Sequence, residues 1–151
     1  MAYTQLIYHI VIRTKYCHYT IPEANERKLY EYLHGFVKRH NGMTYQIGGM
    51  PDHIHLLVQL PASVAIADFV RQLKLTSHNF IKEHRQLFPD FESWSVGYCA
   101  LSYAMDEVPK VTQYIKGQKE HHKQVAFADE LRALLAEQGV AIKEEYFLKD
   151  E

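Results

Sequence analysis

Cysteine is scarce: Cys17 and Cys99 are the only two in 151 residues, and they form no CxxC pair. That excludes a disulfide scaffold and argues against a cysteine-rich zinc module. Long apolar runs are missing too. The first one is short and closes at Arg13 and Lys15, which excludes a transmembrane helix there and gives no sign of a secretory signal. The expectation is a cytoplasmic protein with reduced thiols, associated with no membrane. Low-complexity tracts and solenoid-period repeats are absent, so a single domain spanning 1–151 with one packed core is expected.

Strong charge of either sign is lacking as well. The formal net charge is −1, so there is no overall basic signature for nucleic acid. The distribution is uneven, however. Residues 1–125 carry 14 Lys and Arg against 11 Asp and Glu, whereas 126–151 carry 3 against 7. An acidic C-terminal helix and tail thus follows a modestly basic body.

Aromatic residues are plentiful, with 11 tyrosines, and the elements read clearly. The β-branched segment 4–14 predicts a strand, and 21–42 a helix that Asn41-Gly42 ends. Short strands are expected over 43–50 and 53–60, then an amphipathic helix over 63–84 and a strand over 95–104. A third helix spans 106–123, with acids at its start and bases at its end, and a fourth spans 127–139. The order β-α-β-β-α-β-α-α predicts an α+β, ferredoxin-like sandwich: a central antiparallel sheet with helices packed on it. One sheet face, or its rim, is expected to stay free for a site.

The strand "HIHLLVQL" (53–60) begins with two imidazoles. Alternate strand residues share a face, so His53 and His55 project together while Ile54, Leu56 and Val58 point the other way. Two neutral imidazoles make half of a divalent-metal site. They are equally compatible with hydrogen-bonded histidines at a core rim. A histidine-triad hydrolase would need a third His where Leu57 stands. The pair His121-His122 would supply further ligands, but adjacent helical residues are expected to splay apart.

A second feature lies on the helix "VTQYIKGQKEHHK" (111–123). Tyr114 and Gln118 are four residues apart, on one helical face, and Gly117 between them suggests a local bend or close approach. This is either a solvated face with one tyrosine or a catalytic stripe. A tyrosine hydroxyl, with an ordinary pKa of about 10, is a weak nucleophile. Beside a cation that polarises a phosphodiester it becomes a competent one, and the Gln118 amide oxygen suits Mg²⁺ or Mn²⁺. Arg71, Lys74, Lys82 and Arg85 share roughly one side of the second helix and suit phosphate contacts, as does Lys110 one turn before Tyr114. A solvated helix face accounts for them equally well. Tyr98 and Tyr103 are expected to be buried rather than to stack on bases, and Trp94 to anchor a core or an interface.

Taken together, the chain resembles the single-tyrosine transposases of the HUH class, which include the small insertion-sequence transposases and the REP-associated tyrosine transposases. The resemblance runs through "YHIVIRTKY" (8–16), "IGGMPDHIHLLV" (47–58), "FVRQLKLTSHNFIKEH" (69–84), "WSVGYCALSYA" (94–104), "VTQYIKGQKEHH" (111–122) and "GVAIKEEYF" (139–147). It implies Tyr114 as nucleophile, with His53, His55 and Gln118 as ligands of Mg²⁺ or Mn²⁺. It also implies a single-stranded DNA substrate with hairpins, a 5′-phosphotyrosine intermediate, and a homodimer in which the tyrosine helix of one subunit serves the other. Where relatives carry further basic residues after the "TKY" stretch, this chain has Cys17 and His18, which weakens that expected DNA contact. The competing expectations are a hairpin-binding protein that does not cut and a metal- or RNA-binding ferredoxin-like module.

Overall fold

The computed structural model describes residues 2–150. Its four strands are β1 (Leu6–Arg13), β2 (Met43–Met50), β3 (His53–Leu60) and β4 (Cys99–Tyr103). They form one antiparallel sheet in the order β2-β3-β1-β4. Helix α1 (Glu26–Arg39) connects β1 to β2, and α2 (Ile66–Glu83) connects β3 to β4. This is the ferredoxin-like α+β sandwich expected from the element order.

The two-residue strand period sorts the side chains. On one face Ile10, Ile12, Ile54, Leu56, Val58 and Leu60 pack against Leu29, Leu33, Phe36 and Val37 of α1 and Phe69, Val70, Leu73 and Ile81 of α2. Trp94 completes this core, its indole nitrogen donating to Ser77 Oγ at 2.9 Å, so it is a core anchor. In β3 every residue but Gln59 is buried.

The opposite face is covered, so of the two expectations, a free face or a free rim, the free face is not met. Past β4 come α3 (Val108–Lys116), the single turn α4 (Gln118–His121) and α5 (Phe127–Glu137). Val108, Val111 and Ile115 of α3 pack on Ile7 and Leu57, and Phe127 and Leu134 of α5 pack on Val11, Cys99 and Leu101. The predicted helix 106–123 breaks at Gly117, which ends α3 and precedes α4. The C-terminal segment closes back on β1: Arg13 pairs with Asp150 at 2.7 Å, both side chains almost fully buried.

Strand β4 is shorter than the 95–104 expected. The residues before it form a loop whose Ser95 and Gly97 carbonyls accept from Lys74 Nζ at 2.9 and 2.5 Å. Tyr98 therefore lies outside the strand and is exposed. Tyr103 is half-buried against the α3 and α5 layer.

The glycine pair in β2 brings the second layer close. Gly48 sits opposite His55, and a Cβ there would lie 3.0 Å from both Cγ2 and the carbonyl oxygen of Ile115. Helix α3 therefore rests on bare backbone next to the histidines. Gly48→Ala should displace α3 and destabilise the fold by about 1–3 kcal/mol, read as a lower urea midpoint. An unchanged midpoint would show that α3 is not held by this contact.

Candidate active site

The site is assembled between sheet and second layer. Strand β3 presents His53 and His55 on the same face as His9 of β1, because β1–β3 pairing sets Val11 opposite His55 and His9 opposite Leu57. Helix α3 brings Tyr114, and the break at Gly117 lets α4 present Gln118, His121 and His122 to the same point. Helix α5 supplies Glu130. His53, His55, Gln118 and Glu130 are all buried, whereas Tyr114 and His121 are half-exposed and form the open edge.

Each histidine of the pair is held from behind. His53 Nδ1 donates to Asp52 Oδ1 at 2.7 Å, and His55 Nδ1 shares an N–H with His9 Nε2 at 2.7 Å. Partners of this kind fix ring orientation and tautomer in metal-binding histidines. Both Nε2 atoms then face inward. His53 Nε2 lies 2.9 Å from Gln118 Oε1 and 3.2 Å from Glu130 Oε1. His55 Nε2 lies 3.3 Å from that same oxygen.

Glu130 is the hub. Its Oε1 also meets His122 Nε2 at 2.9 Å. Its Oε2 accepts from Tyr114 Oη and, at 2.6 Å, from Gln118 Nε2. His121 Nε2 is 3.6 Å from Oε2. The expected splaying of His121 and His122 is not seen, because the helix ends there and both rings turn to one carboxylate. Phe127 tilts over His53 with ring centroids 4.4 Å apart.

The electrostatics follow from burial and this carboxylate. Burial opposes charge on His53, but the hydrogen-bonded carboxylates of Asp52 and Glu130 outweigh it and raise its pKa to about 9. His55 moves the other way, burial lowering it against the pull of Glu130. His9 is pushed down to about 3 by burial and by His55, so its ring stays neutral. Burial works against ionised Glu130, yet the His53, His55 and Tyr114 hydrogen bonds hold it well below the usual carboxylate range. Tyr114 is pushed up by burial and by Glu130.

These residues suit a divalent cation. Donor atoms of His53, His55 and Glu130 lie within 4.8 Å of one another, and those of His121, His122 and Glu130 do likewise. The Gln118 oxygen reaches the first group.

Four of the residues singled out in the sequence thus meet: His53, His55, Tyr114 and Gln118. The basic residues do not join them. Arg71, Lys74 and Lys82 belong to α2, across the sheet. Arg71 is exposed and pairs with Asp68 at 3.4 Å. Lys74 is half-buried on loop carbonyls, its pKa lowered to about 8 chiefly by burial. Arg85 lies past the end of α2 and caps the Phe88 and Phe91 carbonyls. Lys82 is exposed. Lys110 is exposed on α3 and lies 3.9 Å from Glu137.

The geometry of a strand-borne histidine pair facing a Tyr-x-x-x-Gln helix agrees with the family comparison: residues 2–118 match the family described as "Transposase IS200 like". The chain belongs to that family. Among curated relatives, the ISDra2 transposase TnpA of Deinococcus radiodurans R1 is 27% identical over 118 residues, covering 76% of this chain and 84% of that one. A crystal structure described as a candidate transposase from Deinococcus radiodurans R1 is 26% identical, with a TM-score of 0.61, covering 78% and 93% of the two chains. A REP-associated tyrosine transposase bound to a REP hairpin shares the fold, with a TM-score of 0.59 at 12% identity over 83% and 73%. As an IS200-like transposase, the chain is of a DNA-cleaving and strand-transferring type.

Sequence reasoning missed His9 and Glu130, and it set His121 and His122 aside, although both rings reach the cluster. His9 is a lone imidazole inside an apolar strand. Glu130 shares the buried stripe of α5 with Phe127 and Leu134, and a carboxylate on an apolar stripe is the signal that would have found it.

The charge on His53 has a testable consequence. Its pKa lies above the ordinary 6.5, so its proton stabilises the metal-free fold fully below pH 6.5, and that contribution is lost as pH rises through about 9. In chelator, the Tm advantage of wild type over His53→Gln should shrink across this window. A constant difference would contradict the assignment.

Proposed function

We propose that this transposase cuts and rejoins single-stranded DNA beside hairpins, through a covalent bond between Tyr114 and a 5′-phosphate. The observation that carries this reading is the meeting of Tyr114 and Gln118 with His53 and His55 inside one chain, with the Tyr114 and His55 ring centroids 5.7 Å apart.

His53, His55 and Gln118 would hold Mg²⁺ or Mn²⁺, which when bound polarises the scissile phosphate and stabilises its developing charge. The chain's own residues do the rest. Asp52 and His9 keep the two imidazoles aimed. The half-exposed edge at Tyr114 and His121 admits the phosphate. Tyr114 Oη forms the new bond to phosphorus while the bond to the 3′ oxygen breaks. The tyrosine proton leaves along its hydrogen bond to Glu130, which relays it, and the departing 3′ oxygen takes up one proton to end as a 3′-hydroxyl. Reverse attack by a 3′-hydroxyl regenerates Tyr114 and rejoins the DNA without ATP.

An unpaired base would seat beside β4. A cavity of about 880 Å³ opens between the edge strand β4 and the C-terminal segment, lined mainly by apolar residues such as Leu101, Leu131 and Ile142, with Tyr98, Lys143, Tyr146 and Phe147 among them. Aromatic side chains in such a wall would hold an unpaired base by stacking. Arg71 and Lys82, exposed on the far layer, would contact the duplex stem rather than the cleavage point, and Lys110 would lie nearer to it. A homodimer, which the family resemblance implies, would carry two complete sites if each subunit uses its own tyrosine.

Single-stranded oligonucleotides tiled across the DNA flanking the gene, incubated with protein and Mn²⁺ and run on a denaturing gel, should yield a covalent adduct. Tyr114→Phe and added chelator should each abolish it, a loss of at least about 1,000-fold, while hairpin binding by Tyr114→Phe stays within about threefold. Hairpin binding without any adduct would favour a protein that holds hairpins and does not cut them.

A further inference from the structure

Helix α5 lies beyond residues 2–118, the part of the chain that matches the family. Yet it places a carboxylate at the centre of the histidine cluster. We propose that Glu130 is the anionic ligand of the cation, completing a His53–His55–Gln118–Glu130 set, and that its second oxygen positions Tyr114. This rests on the metal-site reading above and adds to it a ligand from the C-terminal helix.

The spacing of the donors is the main argument. Six ligands at about 2.1 Å from one Mg²⁺ or Mn²⁺ stand about 3.0 Å from their neighbours, the edge of the octahedron. Glu130 Oε1 lies 3.2 Å from His53 Nε2 and 3.3 Å from His55 Nε2, and Gln118 Oε1 lies 2.9 Å from His53 Nε2. These spacings are those of hydrogen bonds in the metal-free chain, and they also suit neighbouring ligands of one cation.

Charge points the same way. Two imidazoles and an amide contribute no negative charge, and a hard cation favours anionic oxygen. Glu130 is 2% exposed, and its buried charge, which the flanking imidazoles offset in the metal-free chain, would offset the charge of a bound cation. Two histidines and one carboxylate on adjoining corners leave further positions open for a substrate oxygen.

The two oxygens of Glu130 divide the work. Oε1 faces the paired histidines, while Oε2 accepts from Tyr114 Oη and Gln118 Nε2. The nucleophile and the amide ligand are thus oriented by the residue that would bind the cation. Docking of α5 and cation binding become one event.

The test is Mn²⁺ binding to the full chain without DNA, by calorimetry and by the Mn²⁺ electron-paramagnetic signal. Glu130→Gln keeps the shape and removes the charge, and should weaken Mn²⁺ binding at least about tenfold. Glu130→Asp should fall between it and wild type, and it carries the comparison if Glu130→Gln does not fold. Mn²⁺ should raise the Tm of wild type more than that of either variant. Equal or tighter Mn²⁺ binding by Glu130→Gln, with binding lost in His53→Ala, would overturn the Glu130 assignment alone. It would make the residue a competitor for the site. Undiminished binding in His53→Ala would overturn the histidine site, and the Glu130 assignment with it.

Discussion

The antiparallel pairing of β1 with β3 is the constraint on which the rest depends. Its register turns Ile10, Ile12, Ile54, Leu56 and Val58 to one side and His9, Arg13, His53 and His55 to the other. A slip by one residue would exchange the two sets. It would place imidazoles in the α1–α2 core and aliphatics in the site. The apolar face thus enforces the polar one: burial of the aliphatic residues specifies where the histidines stand.

The second layer follows from what that polar face needs. Buried imidazoles require partners, and the chain supplies them from four places in the sequence. Asp52 and His9 lie behind the pair, while Gln118 and Glu130 lie in front. Gly48 lets α3 come close enough for Tyr114 to reach the cluster. The C-terminal segment is fixed to β1 by the buried Arg13–Asp150 pair. The acidic balance of residues 126–151 therefore has a local use. One of its carboxylates is drawn into the cluster and another onto Arg13.

Most of the frame was legible because strand and helix periods are strong signals. Strands 43–50 and 53–60 read as they stand, and Gly117 marked the bend between α3 and α4. The start of β4 was not legible. The alternation of 95–104 resembles a strand, but Lys74 binds the loop carbonyls ahead of Cys99, a tertiary contact that a local pattern does not carry. In the site, the pair of histidines and the tyrosine helix stood out as motifs. Their convergence, and the part taken by Glu130, depend on how far α5 folds back. A glutamate in "DELRALLAE" looks like a surface residue until its neighbours on the stripe, Phe127 and Leu134, are seen to be buried. Lys74 shows the reverse case: a basic residue suited to phosphate by position is occupied within the fold.

One chain by itself brings Tyr114 and Gln118 to His53 and His55. This differs from the shared arrangement implied by the family resemblance, in which the tyrosine helix of one subunit serves the histidines of another. The most direct measurement mixes Tyr114→Phe protein with His53→Ala protein and follows adduct formation on single-stranded DNA with Mn²⁺. A site assembled within each chain predicts no activity above that of either variant alone. Recovery of adduct in the mixture, toward the quarter to half of wild type that random pairing of subunits would give, would contradict the account and place the tyrosine of one subunit against the histidines of its partner.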